Sequence, residues 1–352
     1  MRKIAVAVVP GDGVGLEVVR AARRVLEAAG ARHAIDFAFE EFDWGAEYYF
    51  QHGRMMPASA LDLLRSFDAI LLGAVGHPDI PDYVTLGGLL LPIRRGFDLY
   101  VNVRPAVLYP GVESPLAGRG AIDMVVVREN TEGEYSPVGG FVYHHQPEEI
   151  AVQTAVFTRR GTERIIRYAF ELARRRDGKK RVASITKSNA QAYGMVLWDR
   201  VFDAVAREFA DIETESLLVD AAAMNFVRRP ETFDVVVASN LFGDILSDLS
   251  AVITGSIGLA PSANLDPQRR APSLFEPVHG SAPDIAGRGI ANPLAAILSA
   301  AMMLDHLGEA QAARSVEASV KAVLAAGSVR TPDLGGSSGT EDVAAAVIAN
   351  LR

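Results

Sequence analysis

The sequence predicts an α/β protein built on a mostly parallel sheet flanked by helices. Five near-continuous apolar runs of strand length recur along the chain, as expected for strands covered on both faces. Segments of helical length and polarity separate them, the alternation that marks helices packed on a parallel sheet. No internal repeat, low-complexity tract or Gly/Ser linker interrupts the pattern.

In chain order, "KIAVAVV" opens as a strand, and residues Gly15–Ala29 continue as a helix. Ala58–Ser66 reads as a second helix, followed by the strand "FDAILLGAV". "AIDMVVVREN" is a strand, Arg160–Arg176 a helix, and "KRVASITKS" a strand again. Tyr193–Phe209 is helical, then "FDVVVASN" is a buried strand that runs into a helix over Asp244–Val252. The basic stretch "RRRDGKKR" reads as a helix end with a turn at Gly178, where cations suit the C-terminal dipole. Residues Gly139–Arg160 carry aromatic and β-branched residues without a helical period, the pattern of a hairpin arm. His144 and His145, set on such a strand, point to opposite faces and so do not share a metal ion.

Composition narrows the function classes. The 352 residues suffice for one large or two ordinary domains. A formal charge of −8 argues against nucleic acid or an anionic membrane as the main partner. The absence of cysteine removes disulfides, thiolate metal sites and cysteine nucleophiles, and suits the reducing cytoplasm, which is the expected location. "MRKIAVAVVPGDG" has too short an apolar stretch for a signal peptide. The apolar part of Asn292–Gly308 stops at Asp305, short of the ~20 residues that span a bilayer. A buried helix is expected there.

"VVPGDGVGLEVV" follows a strand and opens a helix, as a dinucleotide-binding turn does. Its glycines, Gly11, Gly13 and Gly15, are spaced G-x-G-x-G rather than G-x-G-x-x-G, and Asp12 would repel a pyrophosphate. A tight strand-to-helix turn is the better reading.

The chemistry-bearing residues fall in two sets. Asp244 and Asp248 lie four apart in "NLFGDILSDL", so their carboxylates share a helix face, with Cβ atoms about 5–6 Å apart. Either both sit near a helix N-terminus, which favours anions, or they bind a cation. With a third carboxylate such as Asp220, they make a hard oxygen site for Mg²⁺ or Mn²⁺. The second set is cationic: Arg94, Arg95 and Arg104 in "LLLPIRRGFDLYVNVRP", and Arg128 at the end of a strand. Guanidinium forks bind carboxylates bidentately. An acidic protein with these two sets suits a small polycarboxylate held together with a metal ion.

Several long segments, in order, carry a specific resemblance: "VVPGDGVGLEV", "LLGAVGHP", "RRGFDLYVNVRP", "VVVRENTEGEYS", "ITKSNA", "VVASNLFGDILSDLSAVITGSIGLAPSANL" and "LFEPVHGSAPDIAGRGIANPLAAILSAAMML". Across nearly the whole chain they resemble the β-decarboxylating dehydrogenases, which include isopropylmalate, isocitrate and tartrate/D-malate dehydrogenases. The resemblance implies a two-domain, non-Rossmann fold of the isopropylmalate dehydrogenase type. Residues 1–99 with 253–352 would form the cofactor domain, and residues 100–252 a smaller substrate and dimerisation domain with its arm at about 139–160. It implies an NAD site at His279, Gly280, Ala282, Asp284, Ile285 and Asn292. Asp284 would accept from the ribose 2′-hydroxyl and repel a 2′-phosphate, so NAD rather than NADP is expected. Arg94, Arg104 and Arg128 would clamp the substrate carboxylates. Tyr135 and Lys187 would transfer protons, and Asp220, Asp244 and Asp248 would hold Mg²⁺ or Mn²⁺. In the family Lys187 and Asp220 act across a homodimer interface, so two chains would share each site.

The implied reaction is oxidative decarboxylation of a 2-hydroxy dicarboxylic acid. Within the family, the stretch "HPDIPDYVTLGGLLLPIRR" packs on the substrate's C3 substituent. Gly87 replaces the acidic residue of isopropylmalate enzymes, and the region of Leu89, Leu90 and Leu91 is too apolar for the third carboxylate of isocitrate. "FDWGAEYYFQHGRMMP", "GHPD" and "VVRENTEGEYSPVGG" resemble the tartrate/D-malate group. Pro92 departs from that group, which usually has a longer polar residue there, and the tail "TPDLGGSSGTEDV" looks closer to 3-isopropylmalate enzymes, which stay the alternative. A non-catalytic regulatory homologue is disfavoured, because the eight proposed catalytic, clamp and metal positions all carry competent side chains.

Overall fold

The strands of the computed structural model, which describes residues 2–117 and 120–352, follow the apolar runs and add others. Among the described residues they are β1 (Arg2–Gly11), β2 (Ile35–Glu41), β3 (Ala69–Ala74), β4 (Val101–Val107), β5 (Asp123–Glu129), β6 (Gly139–Val142), β7 (Ile150–Gln153), β8 (Arg181–Thr186), β9 (Glu213–Leu218), β10 (Val235–Ala238), β11 (Pro261–Leu265) and β12 (Ser273–Pro277). The chain divides into two compact units.

The first unit comprises Met1–Leu99, Val103–Ile122 and Ser250–Arg352. Its strands run in the order β2-β1-β3-β12-β11, with β1 parallel to β2 and β3, and β12 parallel to β3. Only β11 runs antiparallel to β12. Every residue of β3 is buried, as a strand covered on both faces requires. The helix Leu294–His306 is apolar almost all round and buried along its length. The helix Gly15–His33 packs on it with an apolar stripe of Val18, Val19, Val25 and Leu26.

The glycine-rich opening is a tight turn fixed by close packing. Gly11 has φ +70°, and a Cβ there would lie 2.0 Å from the Ala74 carbonyl oxygen. Gly13 has φ +55° and would bring a Cβ within 2.1 Å of the Ser281 oxygen. Neither position admits a side chain. Asp12 between them is buried and accepts hydrogen bonds from the Ala46 N–H (2.7 Å) and the Gly76 N–H (2.8 Å). Burial pushes its carboxyl pKa up despite those bonds. Asp12 therefore ties three loops together.

The second unit comprises Tyr100–Asn102 and Asp123–Leu249. Its strands β5-β10-β8-β9 are all parallel. The helix Arg159–Arg176 starts at Thr158, whose side chain accepts from the Gly161 N–H, and buries Ile165, Ile166, Ala169 and Phe170. It ends at Arg176, as expected, but Asp177 rather than Gly178 takes the left-handed cap at φ 48°. Strands β6 and β7 pair antiparallel into the arm. The imidazoles of His144 and His145 correct the reading above, since they occupy the turn between β6 and β7, not a strand, with ring centroids 3.7 Å apart.

Among the described residues, no helix is long and apolar enough to cross a membrane.

Candidate active site

Within the second unit, the helix Asn240–Ile253 leaves the end of β10 and carries Asp244 and Asp248 one turn apart. It begins four residues before the predicted start, so no acidic residue stands in its first turn. The dipole effect falls off within that turn, which leaves the two carboxylates without that stabilisation. Other partners hold Asp244. The Tyr135 hydroxyl donates to its Oδ2 at 2.6 Å, and the Arg128 Nη1 donates to its Oδ1. Arg128 is 1% exposed at the end of β5, and its Nε and Nη2 also donate to the Asn240 Oδ1 at 3.0 and 2.7 Å. Gly243 makes room for it, since a Cβ there would sit 2.7 Å from the Arg128 side chain. Its guanidinium carbon also lies 5.2 Å from the Tyr135 ring centroid. Arg128, Tyr135 and Asp244 thus form one contiguous cluster, with Asp248 exposed on the next turn of the same helix.

Lys187, just beyond β8, makes a separate pair. Its Nζ lies 2.7 Å from Oδ1 of Asp220, which opens the helix Val219–Arg228. The bond from Lys187 holds the Asp220 carboxyl below the ordinary carboxylate range. Among the described residues, no group of three His, Asp or Glu side chains in one chain is placed to hold a metal ion. Asp220 therefore does not join Asp244 and Asp248 within the same chain.

The first unit holds the other two arginines. Arg94, 3% exposed on the helix Leu90–Gly96, donates from Nη2 to the Glu276 Oε1 at 2.8 Å. Asn264 donates to the same oxygen, also at 2.8 Å. Arg104 is buried on β4. Leu90 packs in a core cluster with Trp44, Met55 and Ile93 and remains 8% exposed.

A cavity of about 280 Å³ in the same unit is lined by Val14, Ile257, His279, Ala282, Ile285, Asn292 and Asp333, among others. Four of the six predicted nucleotide residues line it; Gly280 and Asp284 are exposed outside the lining. Its walls are mostly apolar, and the polar groups on them are few. Burial lowers the His279 pKa, so the imidazole is neutral at pH 7. The His279 Nδ1 faces the Gly280 oxygen at 3.0 Å, which assigns the proton there and leaves Nε2 as an acceptor. The buried Nε2 has no hydrogen-bond partner. Asp333 accepts from the Asn292 Nδ2 (3.0 Å) and the Ser256 Oγ (2.5 Å). Asn240, Glu276 and Asp333 were not singled out from sequence. Each is a polar residue whose importance lies in a partner distant along the chain, and no local spacing marks it.

The model of the isocitrate/isopropylmalate dehydrogenase family matches residues 5–347. The chain belongs to this family. The D-malate dehydrogenase [decarboxylating] of Escherichia coli (strain K12) is 52% identical over 356 residues, covering 99% of this chain and 98% of that protein. The tartrate dehydrogenase/decarboxylase of Pseudomonas putida is 51% identical over 352 residues, covering 97% of this chain and 96% of that protein. Among solved structures, isocitrate dehydrogenase from Methylococcus capsulatus superposes with a TM-score of 0.89 at 38% identity, covering all of both chains. Family membership makes the protein an oxidoreductase of the decarboxylating dehydrogenase type. Nearly full-length coverage in each comparison matches the resemblance drawn from the motifs.

Proposed function

We propose that this chain catalyses the NAD- and divalent-metal-dependent oxidative decarboxylation of a 2-hydroxy dicarboxylic acid, with D-malate or tartrate as substrate. The observation that carries the reading is the cluster of Arg128, Tyr135 and Asp244, a carboxylate-binding cation and a hydroxyl acid sharing one aspartate. The full-length relatives named for D-malate and tartrate support the substrate class.

The residues fit the two groups the reaction requires. For a nucleotide, the apolar cavity offers the unpartnered His279 Nε2 as acceptor, which suits an adenine amino group against flat apolar walls. For Mg²⁺ or Mn²⁺, Asp244 and Asp248 present hard oxygens on one helix face. When bound, NAD supplies the hydride acceptor, and the divalent ion supplies Lewis acidity at the substrate hydroxyl and the later enolate oxygen.

The protein's own groups do the rest. Arg94, Arg104 and Arg128 bind the carboxylates with fixed forks and orient the hydroxyl-bearing carbon. Lys187 takes the hydroxyl proton during oxidation. After carbon dioxide leaves, Tyr135 delivers a proton to the enol carbon. Its hydroxyl hydrogen is already directed by Asp244, which keeps the acid in place until the substrate competes for it. Leu90 faces the C3 substituent in this reading, and Asp284 accepts from the ribose hydroxyl.

The active form in this reading is a homodimer whose sites draw on both chains. Lys187 and Asp220 would serve the partner's cluster, completing the oxygen set that Asp244 and Asp248 begin. The arm supports a second copy as occupant, because Phe141, Tyr143, Ile150 and Val152 are each more than half exposed. Cytoplasmic location belongs to the same proposal.

NADH formation at 340 nm with Mn²⁺ tests the function against D-malate, L-tartrate, 3-isopropylmalate and isocitrate. Turnover is expected with D-malate or tartrate. Preference for 3-isopropylmalate would reassign the substrate, and no turnover with any of the four would point to a regulatory homologue.

A further inference from the structure

The segment "RENTEGEY" carries three glutamates between Arg128 and Tyr135, and each grips a different part of the second unit. Glu129 folds back on its own turn, accepting from the Thr131 N–H (3.0 Å) and the Glu132 N–H (2.9 Å). Glu132 accepts from the Thr158 N–H (2.9 Å) and hydroxyl (2.8 Å), at the start of the helix Arg159–Arg176. Glu134 reaches the other way. Its Oε1 accepts from the Ser239 hydroxyl at 2.7 Å, and its Oε2 accepts from the Leu241 N–H at 3.1 Å.

We propose that Glu134 is a positioning residue that sets Tyr135 at its working distance from the helix bearing Asp244 and Asp248. The inference rests on the assignment of Tyr135 as proton donor. Leu241 N–H is one of the donors that the first helical turn leaves without an intrahelical partner, and a carboxylate is favoured there. The two oxygens of Glu134 flank Asn240, whose own amide donates to the Glu132 carbonyl (3.0 Å) while its oxygen accepts from Arg128. Tyr135, the next residue, touches the same helix one turn further on, through its hydroxyl to Asp244. The Tyr135 segment is therefore fastened to that helix at two levels. Proton delivery requires the hydroxyl to leave Asp244, which releases the upper attachment. The lower one persists: the Asn240 amide on the Glu132 carbonyl and, next to Tyr135 itself, both oxygens of Glu134, so Glu134 holds the ring near the reacting carbon during that step.

A displacement of about 1 Å at a proton-transfer distance lowers rate by roughly 100-fold. Glu134→Ala is expected to lower kcat 10- to 100-fold with the best substrate of the panel. KM for NAD should stay within about twofold, because the nucleotide cavity is lined by first-unit residues alone. Glu134→Gln keeps one amide oxygen as acceptor and should recover most of the loss. In the double variant with Tyr135→Phe, the Glu134→Ala change should add less than about twofold to the loss from Tyr135→Phe alone. Wild-type kcat in Glu134→Ala, or fully multiplicative losses in the double variant, would overturn the positioning role while the Tyr135 assignment stands. Wild-type turnover in Tyr135→Phe itself would overturn the proton-donor assignment and the inference with it. A Glu134→Ala chain with lowered kcat but raised KM for NAD, unrescued by Gln, would mark a general structural role and also overturn it.

Discussion

Replacing Glu276 by Ala tests how the first unit tolerates in its interior an arginine that we propose binds substrate. Arg94 is 3% exposed, and its Nη2 lies 2.8 Å from the Glu276 carboxylate. Its Nε is buried without a hydrogen-bond partner, so Glu276 is the carboxylate that compensates this cation in the absence of substrate. The same oxygen also accepts from the buried Asn264 amide at 2.8 Å. Glu276→Ala leaves a guanidinium and an amide buried together, and breaking a buried pair from one side costs about 3–5 kcal/mol. Trp44 reports on this directly, because it packs in the same core cluster as Leu90 and Ile93, which precede Arg94 on its helix. The assay is a urea titration followed by Trp44 fluorescence in a Trp198→Phe background, since Trp44 and Trp198 are the two tryptophans and fall in different units. The midpoint is expected to fall by about 2 M, from the 3–5 kcal/mol loss and a urea slope of roughly 2 kcal/mol/M. A fall under about 0.5 M would mean that water or a relaxed rotamer compensates Arg94, and the argument from burial would fail. Added D-malate should recover part of the loss in the Glu276→Ala chain, because its carboxylate pairs with Arg94.

Glu129 gives a pH-dependent test. Desolvation raises its carboxyl from 4.5 to about 7. The native state therefore binds this proton more tightly than the unfolded chain, and its contribution to stability falls as pH rises from 4.5 to 7. Glu129→Gln should flatten the melting-temperature profile across that window and raise Tm at pH 8; an unchanged slope would contradict the assignment. Asp284→Lys should raise KM for NAD by about 10- to 100-fold, the value of a lost charged hydrogen bond, with little change in KM for the hydroxy acid. Unaltered NAD kinetics would remove Asp284 from the ribose site.

The strands were legible where both faces are buried, as in "FDAILLGAV" and "FDVVVASN", because burial leaves an unbroken apolar run. β2 and β9 were missed, since they stand at the edges of their strand sets and lack an unbroken apolar run: "IDFAFEE" mixes acidic with apolar residues, and "ETESLL" opens with four polar ones. The start of the aspartate helix was misplaced by four residues. Ser239 and Asn240 are both favoured N-cap types, but they were read as the end of the strand, and the carboxylate that accepts from the Leu241 N–H comes from Glu134, remote in sequence. Arg128 was legible as a cation at the end of an apolar strand, an expensive place for a charge without purpose. Its partner Asn240 was not, because an amide needs only one well-placed neighbour, and that neighbour lies 112 residues away. The failed G-x-G-x-x-G test was informative in its own right: Gly11 and Gly13 serve close backbone packing, and Gly13 abuts Ser281, next to Ala282 in the wall of the apolar cavity.

The claim that two chains share each site is tested by mixing two inactive chains, Lys187→Ala and Asp244→Ala. Random pairing makes half of the dimers mixed, and each mixed dimer has one site free of both substitutions, so about a quarter of wild-type activity should return on subunit exchange. No recovery, with exchange demonstrated by native mass spectrometry, would place Lys187 and Asp244 in the same chain's site and contradict the account.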